Sequence, residues 1–226
     1  MRALIAATTL AAAAAGGFLG YRLLAPHGAR AADPLPVPAE AAPAAAKATD
    51  GRTARAIPER LPDITLADRD GKPRRLAEWS GRPLLINFWA TWCAPCRREI
   101  PLLKAVRAER KEQGLEVIGI AVDFRDAVLD YAREIGLDYP LLIGEQDGLD
   151  AAAAFGMDMV FPFSIFADRQ GRIVTVKIGE LHPDEAAFIL DTVRDIDASR
   201  IELPAAQERI AARLKELAVA RTTAAN

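Results

Sequence analysis

Apolar runs alternate with segments of helical periodicity through the middle of the chain. Residues 84–88 and 115–122 are near-continuous apolar runs, which predict two strands buried on both faces of a sheet. Between them, residues 94–113 carry apolar side chains at the spacing of one helix face. Strand, helix and strand in this order indicate an α/β fold with helices on both faces of the sheet.

Shorter segments flank this core. Residues 62–76 predict two short strands joined by a turn at Asp70-Gly71-Lys72-Pro73. Beyond the second buried strand, the sequence predicts a helix, a strand, a helix, a β-hairpin and a closing helix, over residues 127–135, 141–143, 151–155, 163–178 and 185–197. We therefore expect an α/β domain with a central mixed sheet flanked by helices and an N-terminal β-hairpin.

One more helix is predicted after this domain. Pro204 suits its first turn, and Ile210, Leu214 and Leu217 form one apolar face. Such a face either docks on the domain or contacts a partner or a second copy. Residues 57–200 are thus assigned to the folded domain and residues 201–226 to an extra, amphipathic C-terminal helix.

The first 56 residues differ in composition from the rest. Met1 and Arg2 precede an uncharged, alanine-rich run, so residues 1–31 predict a signal-anchor or a cleaved signal peptide, with a buried N-terminal helix as the alternative. Residues 32–56 are rich in alanine and proline and have almost no large apolar side chain, which indicates an extended linker. Either form of export places the domain outside the cytoplasm, in a compartment that permits disulfides.

The overall charge argues against one class of partner. The formal net charge is −2, and the sequence has no basic stripe interleaved with aromatic residues. Nucleic acid is therefore not an expected partner.

The two cysteines of the chain stand three positions apart in the sequence Trp92-Cys93-Ala94-Pro95-Cys96. They follow a predicted buried strand and open a predicted helix, whose N-terminus offers free N–H groups and the positive end of its dipole. Both favour a thiolate, so Cys93 is expected to have a lowered pKa and to be the attacking sulfur. Cys96, one turn further and more buried, is expected to resolve the mixed disulfide.

Other interpretations of this pair are weaker. Zinc normally takes four ligands, and the chain adds only His27 and His182 to the two cysteines. Covalent haem attachment needs a histidine where Arg97 stands. A structural disulfide would close a four-residue loop and restrain the unfolded chain very little. A Cu(I)-binding module using both thiolates and His182 is a further alternative.

The residues around the cysteines resemble the thioredoxin superfamily, and within it the exported TlpA-like and ResA-like thiol:disulfide oxidoreductases. The resemblance rests on residues 87–99 (NFWATWCAPCRRE) and 161–168 (FPFSIFAD) and covers roughly residues 62–197. It implies a thioredoxin-like fold and an exchange reaction that needs no metal or organic cofactor.

The same resemblance implies roles for individual residues. Pro162 corresponds to a cis-proline that faces the disulfide, and Phe161 before it would offer its backbone to an incoming peptide; an ordinary trans-proline at the start of a strand is the alternative. Trp92, Ala94 and Pro95 are expected to contact the client as well, although simple packing is the alternative for Trp92.

A carboxylate near the cysteines is also implied. Glu99 corresponds to a glutamate that tunes the thiols and carries a proton; the alternative is a solvent-facing acid paired with Arg98. Asn87 stands where thioredoxin has a buried aspartate, and its uncharged amide cannot act as the base.

The resemblance further implies a reductase of disulfides in a client protein, for example apocytochrome c or a copper-site protein. A membrane electron donor would recharge it, and an N-terminal anchor would hold it on the periplasmic side of a bacterial inner membrane. A thiol oxidase or isomerase on the same scaffold is the alternative.

Overall fold

The structure is a computed structural model that describes residues 56–224. The helices and strands of that range are, in chain order, β1 (Thr65–Asp68), β2 (Pro73–Arg75), β3 (Leu84–Trp89), α1 (Ala94–Glu109), β4 (Glu116–Val122), α2 (Arg125–Glu134), β5 (Leu141–Gly144), α3 (Gln146–Ala154), β6 (Phe163–Ala167), β7 (Ile173–Ile178), α4 (Pro183–Asp197) and α5 (Leu203–Ala224). Short 3-10 turns at Leu76–Trp79 and Lys111–Gln113 complete the set.

The strands form one mixed sheet in the order β2-β1-β5-β4-β3-β6-β7. Strands β3, β4 and β5 run parallel, and β6 is antiparallel to β3. β1 and β2 form the expected N-terminal hairpin, and β6 and β7 form the second one. The predicted mixed sheet is confirmed, and β3, which precedes the cysteines, lies between β4 and β6.

Both faces of the sheet are covered, because neighbouring residues of β3 enter different cores. Leu85 and Trp89 pack in a cluster that includes side chains of α1, α2, α4 and α5. Ile86 and Phe88 pack in a second cluster with α3 and the 3-10 turn after β2. All six residues of β3 are buried, which accounts for its continuous apolar sequence.

Two helix boundaries differ from the prediction by four residues or more. Helix α1 ends at Glu109 instead of residue 113, and Gly114 follows the 3-10 turn with a φ of 81°. Helix α3 begins at Gln146, five residues before the predicted start. In its first turn Gly148 packs directly on β4; a Cβ there would lie 3.3 Å from Val122 Cγ2.

The C-terminal helix docks on the domain, as one of the two expectations had it. Ala206 and Ile210 are fully buried, and Leu214 packs partly buried against the same core. The predicted signal-anchor and nearly all of the predicted linker lie outside the described residues. Between residues 56 and 224, no helix combines the length and hydropathy needed to cross a membrane.

Candidate active site

The cysteine pair lies at the carboxyl end of β3, where α1 begins. Cys93 is the N-cap residue of α1, and the two sulfurs form a disulfide. The Cys96 backbone N–H donates to Cys93 Sγ at 3.3 Å. No acidic side chain occupies the first turn of α1, so nothing there opposes the positive end of the helix dipole. The expected strand-to-helix setting of the pair is therefore present.

Solvent exposure differs between the two cysteines in the expected direction. Cys93 is 5% exposed and Cys96 is fully buried. Next to them, Trp92 is 68% exposed, Ala94 is exposed and Pro95 is half-buried. Cys93 is thus the more accessible of the two sulfurs, beside the exposed Trp92 and Ala94, whereas Cys96 has no exposed surface.

The segment before β6 lies beside the disulfide, because β6 runs antiparallel to β3 and pairs Phe163 with Phe88. The Phe161–Pro162 peptide bond is cis, as the resemblance implied. The Phe161 ring lies 6.2 Å from the Trp92 ring, centroid to centroid, in an edge-on arrangement. Trp92 and Phe161 thus form one aromatic surface next to the cysteines.

Glu99 is buried beneath the cysteines, with only 2% of its surface exposed. It follows Cys96 by three positions in α1, so the two side chains share one helix face. The Asn87 side-chain amide donates to Glu99 Oε1 at 2.7 Å, and the Leu181 backbone N–H donates to Oε2 at 2.7 Å. Asn87 also donates to Ser164 Oγ at 3.1 Å. Both carboxylate oxygens are therefore held in fixed positions by donors from β3 and from the loop before α4.

Burial raises the pKa of Glu99 from its ordinary value of 4.5 to about 7. The hydrogen bonds from Leu181 and Asn87, and the positive charge of Lys177, act in the opposite direction, while the negative charge of Glu180 adds to the rise. A carboxyl group with a pKa near neutrality can both accept and release a proton under physiological conditions. Glu99 is thus chemically suited to exchange protons with a thiol.

The alternative of a solvent-facing Glu99 paired with Arg98 does not fit this geometry. Arg98 points outward and donates from Nε to both carboxylate oxygens of Glu180, at 3.1 and 3.0 Å. Arg98 therefore binds the loop before α4 at the surface, through Glu180, and Glu99 binds the same loop in the core, through Leu181.

Further exposed apolar side chains cluster at this edge of the sheet. The carboxyl ends of the parallel strands β3 and β4 meet here, and Thr91 N–H donates to Asp123 Oδ2 at 3.0 Å. Phe124, next to Asp123, is 68% exposed. Met159 and Val160, just before Phe161, are exposed too. Three further exposed apolar side chains thus lie at the edge of the sheet where β3 and β4 end and β6 begins.

Sequence reasoning missed the partners that hold Glu99. Asn87 and Leu181 are 12 and 82 positions from Glu99 along the chain. Ser164, which accepts a hydrogen bond from Asn87, is 65 positions from Glu99, and no local pattern links these residues.

His182 is the N-cap residue of α4, where its backbone N–H donates to Glu185 Oε2. Across residues 56–224, no three His, Cys, Asp or Glu side chains come together as a metal site would require.

Comparison with known proteins agrees with this geometry. Residues 57–196, more than half of the chain, match the AhpC/TSA family. The thiol-disulfide oxidoreductase ResA of Geobacillus thermodenitrificans is 28% identical over 144 residues, which are 63% of this chain and 81% of that protein.

Solved structures show the same similarity. A secreted thiol-disulfide isomerase from Corynebacterium glutamicum superposes with a TM-score of 0.55 at 29% identity, covering 60% of this chain and 85% of that one. A thiol:disulfide interchange protein of the thioredoxin family from Chlorobium tepidum superposes with a TM-score of 0.53 at 28% identity, covering 62% and 96%. The expected thioredoxin-like fold is confirmed.

Proposed function

This chain belongs to the AhpC/TSA family and is a thiol-disulfide oxidoreductase, and on that basis we propose that it reduces protein disulfides outside the cytoplasm. Cys93 would be the attacking thiolate, Cys96 the resolving thiol and Glu99 the group that accepts the proton of Cys96. The observation that carries this proposal is the buried carboxyl group of Glu99, which lies on the Cys96 face of α1 and has a pKa of about 7.

The proposed reaction transfers two electrons to the client. Cys93 thiolate attacks one sulfur of the client disulfide, forms a mixed disulfide and releases the other client sulfur as a thiolate. Glu99 takes the proton from Cys96, whose thiolate then attacks Cys93 Sγ. The second client sulfur leaves as a thiolate, and the protein keeps the Cys93–Cys96 disulfide. Two protons, one of them from Glu99, neutralise the client thiolates.

The client would bind across the exposed aromatic surface. Trp92 and Phe161 lie side by side next to Cys93, and the half-buried Pro95 and exposed Ala94 continue that surface along α1. Neither the N–H nor the C=O of Phe161 has a hydrogen-bond partner among the described residues, so both can pair with an extended client segment.

A reductase in an oxidising compartment needs a source of electrons. We therefore propose a membrane electron donor, together with an N-terminal tether to a bacterial inner membrane that exposes the domain to the periplasm. The alanine-rich N-terminal sequence and the similarity to ResA support this arrangement. Apocytochrome c or a copper-site protein is the proposed client, because its cysteines must be reduced before they bind haem or metal.

Trapping tests the assigned order of the cysteines. In Cys96→Ala the mixed disulfide with the client should accumulate, because no thiol remains to resolve it, and its partner can be identified. Cys93→Ala should capture much less, since Cys96 is fully buried. Equal capture by both variants would contradict the assignment.

The direction of electron flow is tested by the reduction potential of the pair. A value of about −120 mV is that of a strong oxidant and would indicate a thiol oxidase instead of a reductase. The similarity to a secreted thiol-disulfide isomerase makes isomerisation the second candidate. Refolding of a scrambled disulfide substrate without added reductant would distinguish an isomerase from both.

A further inference from the structure

The loop of residues 179–182, between β7 and α4, holds the active site together from one side. Its Leu181 N–H donates to Glu99 Oε2 at 2.7 Å, and its Gly179 N–H donates to the Pro162 carbonyl at 2.8 Å. A displacement of this loop would therefore disturb two hydrogen bonds at once, one to Glu99 and one to Pro162.

This loop is itself fixed by a buried acid on α4. Glu185 is 2% exposed, and its Oε2 accepts the His182 backbone N–H at 3.0 Å. Lys177 Nζ lies 3.5 Å from the same oxygen and also donates to the Ile178 and Glu180 carbonyls, at 3.1 and 3.0 Å. Lys177 is thus shared between Glu185 and the backbone of the loop.

The second charged partner of Glu185 comes from the end of the C-terminal helix. Arg221 in α5 donates to Glu185 Oε1, and it also donates to both carboxylate oxygens of Asp184, at 3.0 and 3.1 Å. A buried carboxylate is tolerated only when it is paired, so Arg221 shares with Lys177 the neutralisation of Glu185. The contacts run from Arg221 through Glu185 to the loop, and from the loop to Glu99.

We infer that Arg221 is a positioning residue of the active site, and that the C-terminal helix serves to fix the loop that holds Glu99. This inference rests on the proposed role of Glu99 as the proton acceptor. The helix is 22 residues long and begins after the family match, which ends at residue 196. The C-terminal helix is therefore an addition to the part of the fold that this chain shares with the family.

The sign of the effect follows from the charges that face Glu99. Lys177 lowers its pKa, Glu180 raises it, and Tyr139 and the cysteines are the other titratable groups nearby. Without Arg221, Lys177 is the one remaining cation paired with Glu185 among the described residues, so the loop is held less firmly and the Leu181 hydrogen bond, which lowers the pKa of Glu99, weakens. Loss of Arg221 should therefore raise the pKa of Glu99 and shift its proton exchange to higher pH.

The experiment compares full-length proteins by the pH dependence of insulin reduction and by carboxyl 13C NMR titration of Glu99. For Arg221→Ala we expect both midpoints to move up by about half a pH unit, as expected for the loss of one partly exposed ion pair. Arg221→Lys should restore most of the original profile. Arg213→Ala is the matched control, because Arg213 pairs only with Glu216 on the same helix.

The outcomes separate this inference from the proposed function. If Glu99→Gln leaves the pH profile of the rate unchanged, the proposed proton transfer is wrong. If Glu99→Gln abolishes the midpoint but Arg221→Ala titrates like the unaltered protein, the positioning role of Arg221 is wrong. Arg221→Gln keeps hydrogen-bond donors without the charge, so it provides the same test if the alanine variant folds poorly.

Discussion

Replacing Glu99 with glutamine removes a buried charge from the core while it removes the proposed proton acceptor. The native protein keeps the Glu99 proton up to a pH of about 7, whereas the unfolded chain releases it near 4.5. Between these values the native state binds more protons than the unfolded state, so the free energy of unfolding falls as the pH rises. Glutamine does not titrate, so the free energy of unfolding of the variant should not fall in this pH range through residue 99.

The structure gives the size of the effect. The rise of the Glu99 pKa from 4.5 to about 7 lowers the free energy of unfolding by about 3 kcal/mol above pH 7, at about 1.4 kcal/mol per pH unit. Against this stands the weakening of two hydrogen bonds, at about 1 kcal/mol each. Rotation of the Asn87 amide would let its Oδ1, which has no partner among the described residues, accept from the new amide. We therefore expect Glu99→Gln to be about 1–3 kcal/mol more stable at pH 8.

Urea denaturation of the oxidised proteins at pH 4.5 and pH 8 measures this difference. At pH 4.5 the stabilisation should vanish or reverse, and at pH 8 the more stable variant should exchange disulfides more slowly. Glu116→Gln is the matched control, because Glu116 is also buried but is ion-paired with Arg82 at 3.2 Å and Arg107 at 2.7 Å. If Glu99→Gln changed the free energy of unfolding equally at both pH values, the inference that burial raises the pKa of Glu99 would be refuted.

Other substitutions test packing and client contact. Ile210→Ala should cost about 2–4 kcal/mol in urea denaturation because α5 is docked on the core, whereas Val219→Ala on the exposed side of α5 should change stability by less than about 0.5 kcal/mol. Gly119→Ala should lower the thermal midpoint, since its methyl group would lie 3.0 Å from the buried Tyr139 ring; an unchanged midpoint would mean that the ring moves freely. Trp92→Ala should leave stability within about 0.5 kcal/mol but slow mixed-disulfide formation about tenfold, and an unchanged rate would exclude client contact by Trp92.

The reactive pair and its setting could be read from local sequence. Leu84–Trp89 is apolar throughout because both sides of β3 are covered, and Cys93 follows at the start of a helix with regular apolar spacing. Each of these features depends on residues within about one or two helical turns of one another. Local periodicity did not locate the start of α3, because a glycine, Gly148, makes the contact with β4 there.

The order of strand, cysteine pair and helix follows from the sequence alone, and so does the position of Glu99 on the same helix face as Cys96. The burial of Glu99, its hydrogen bonds with Asn87 and Leu181, and the contact of Arg221 with the acid beside that loop appear only in the folded protein. They could not be predicted because a pKa depends on desolvation and on charges brought close in space, whatever their separation along the chain. Helix and strand formation, in contrast, is largely encoded in side chains a few positions apart.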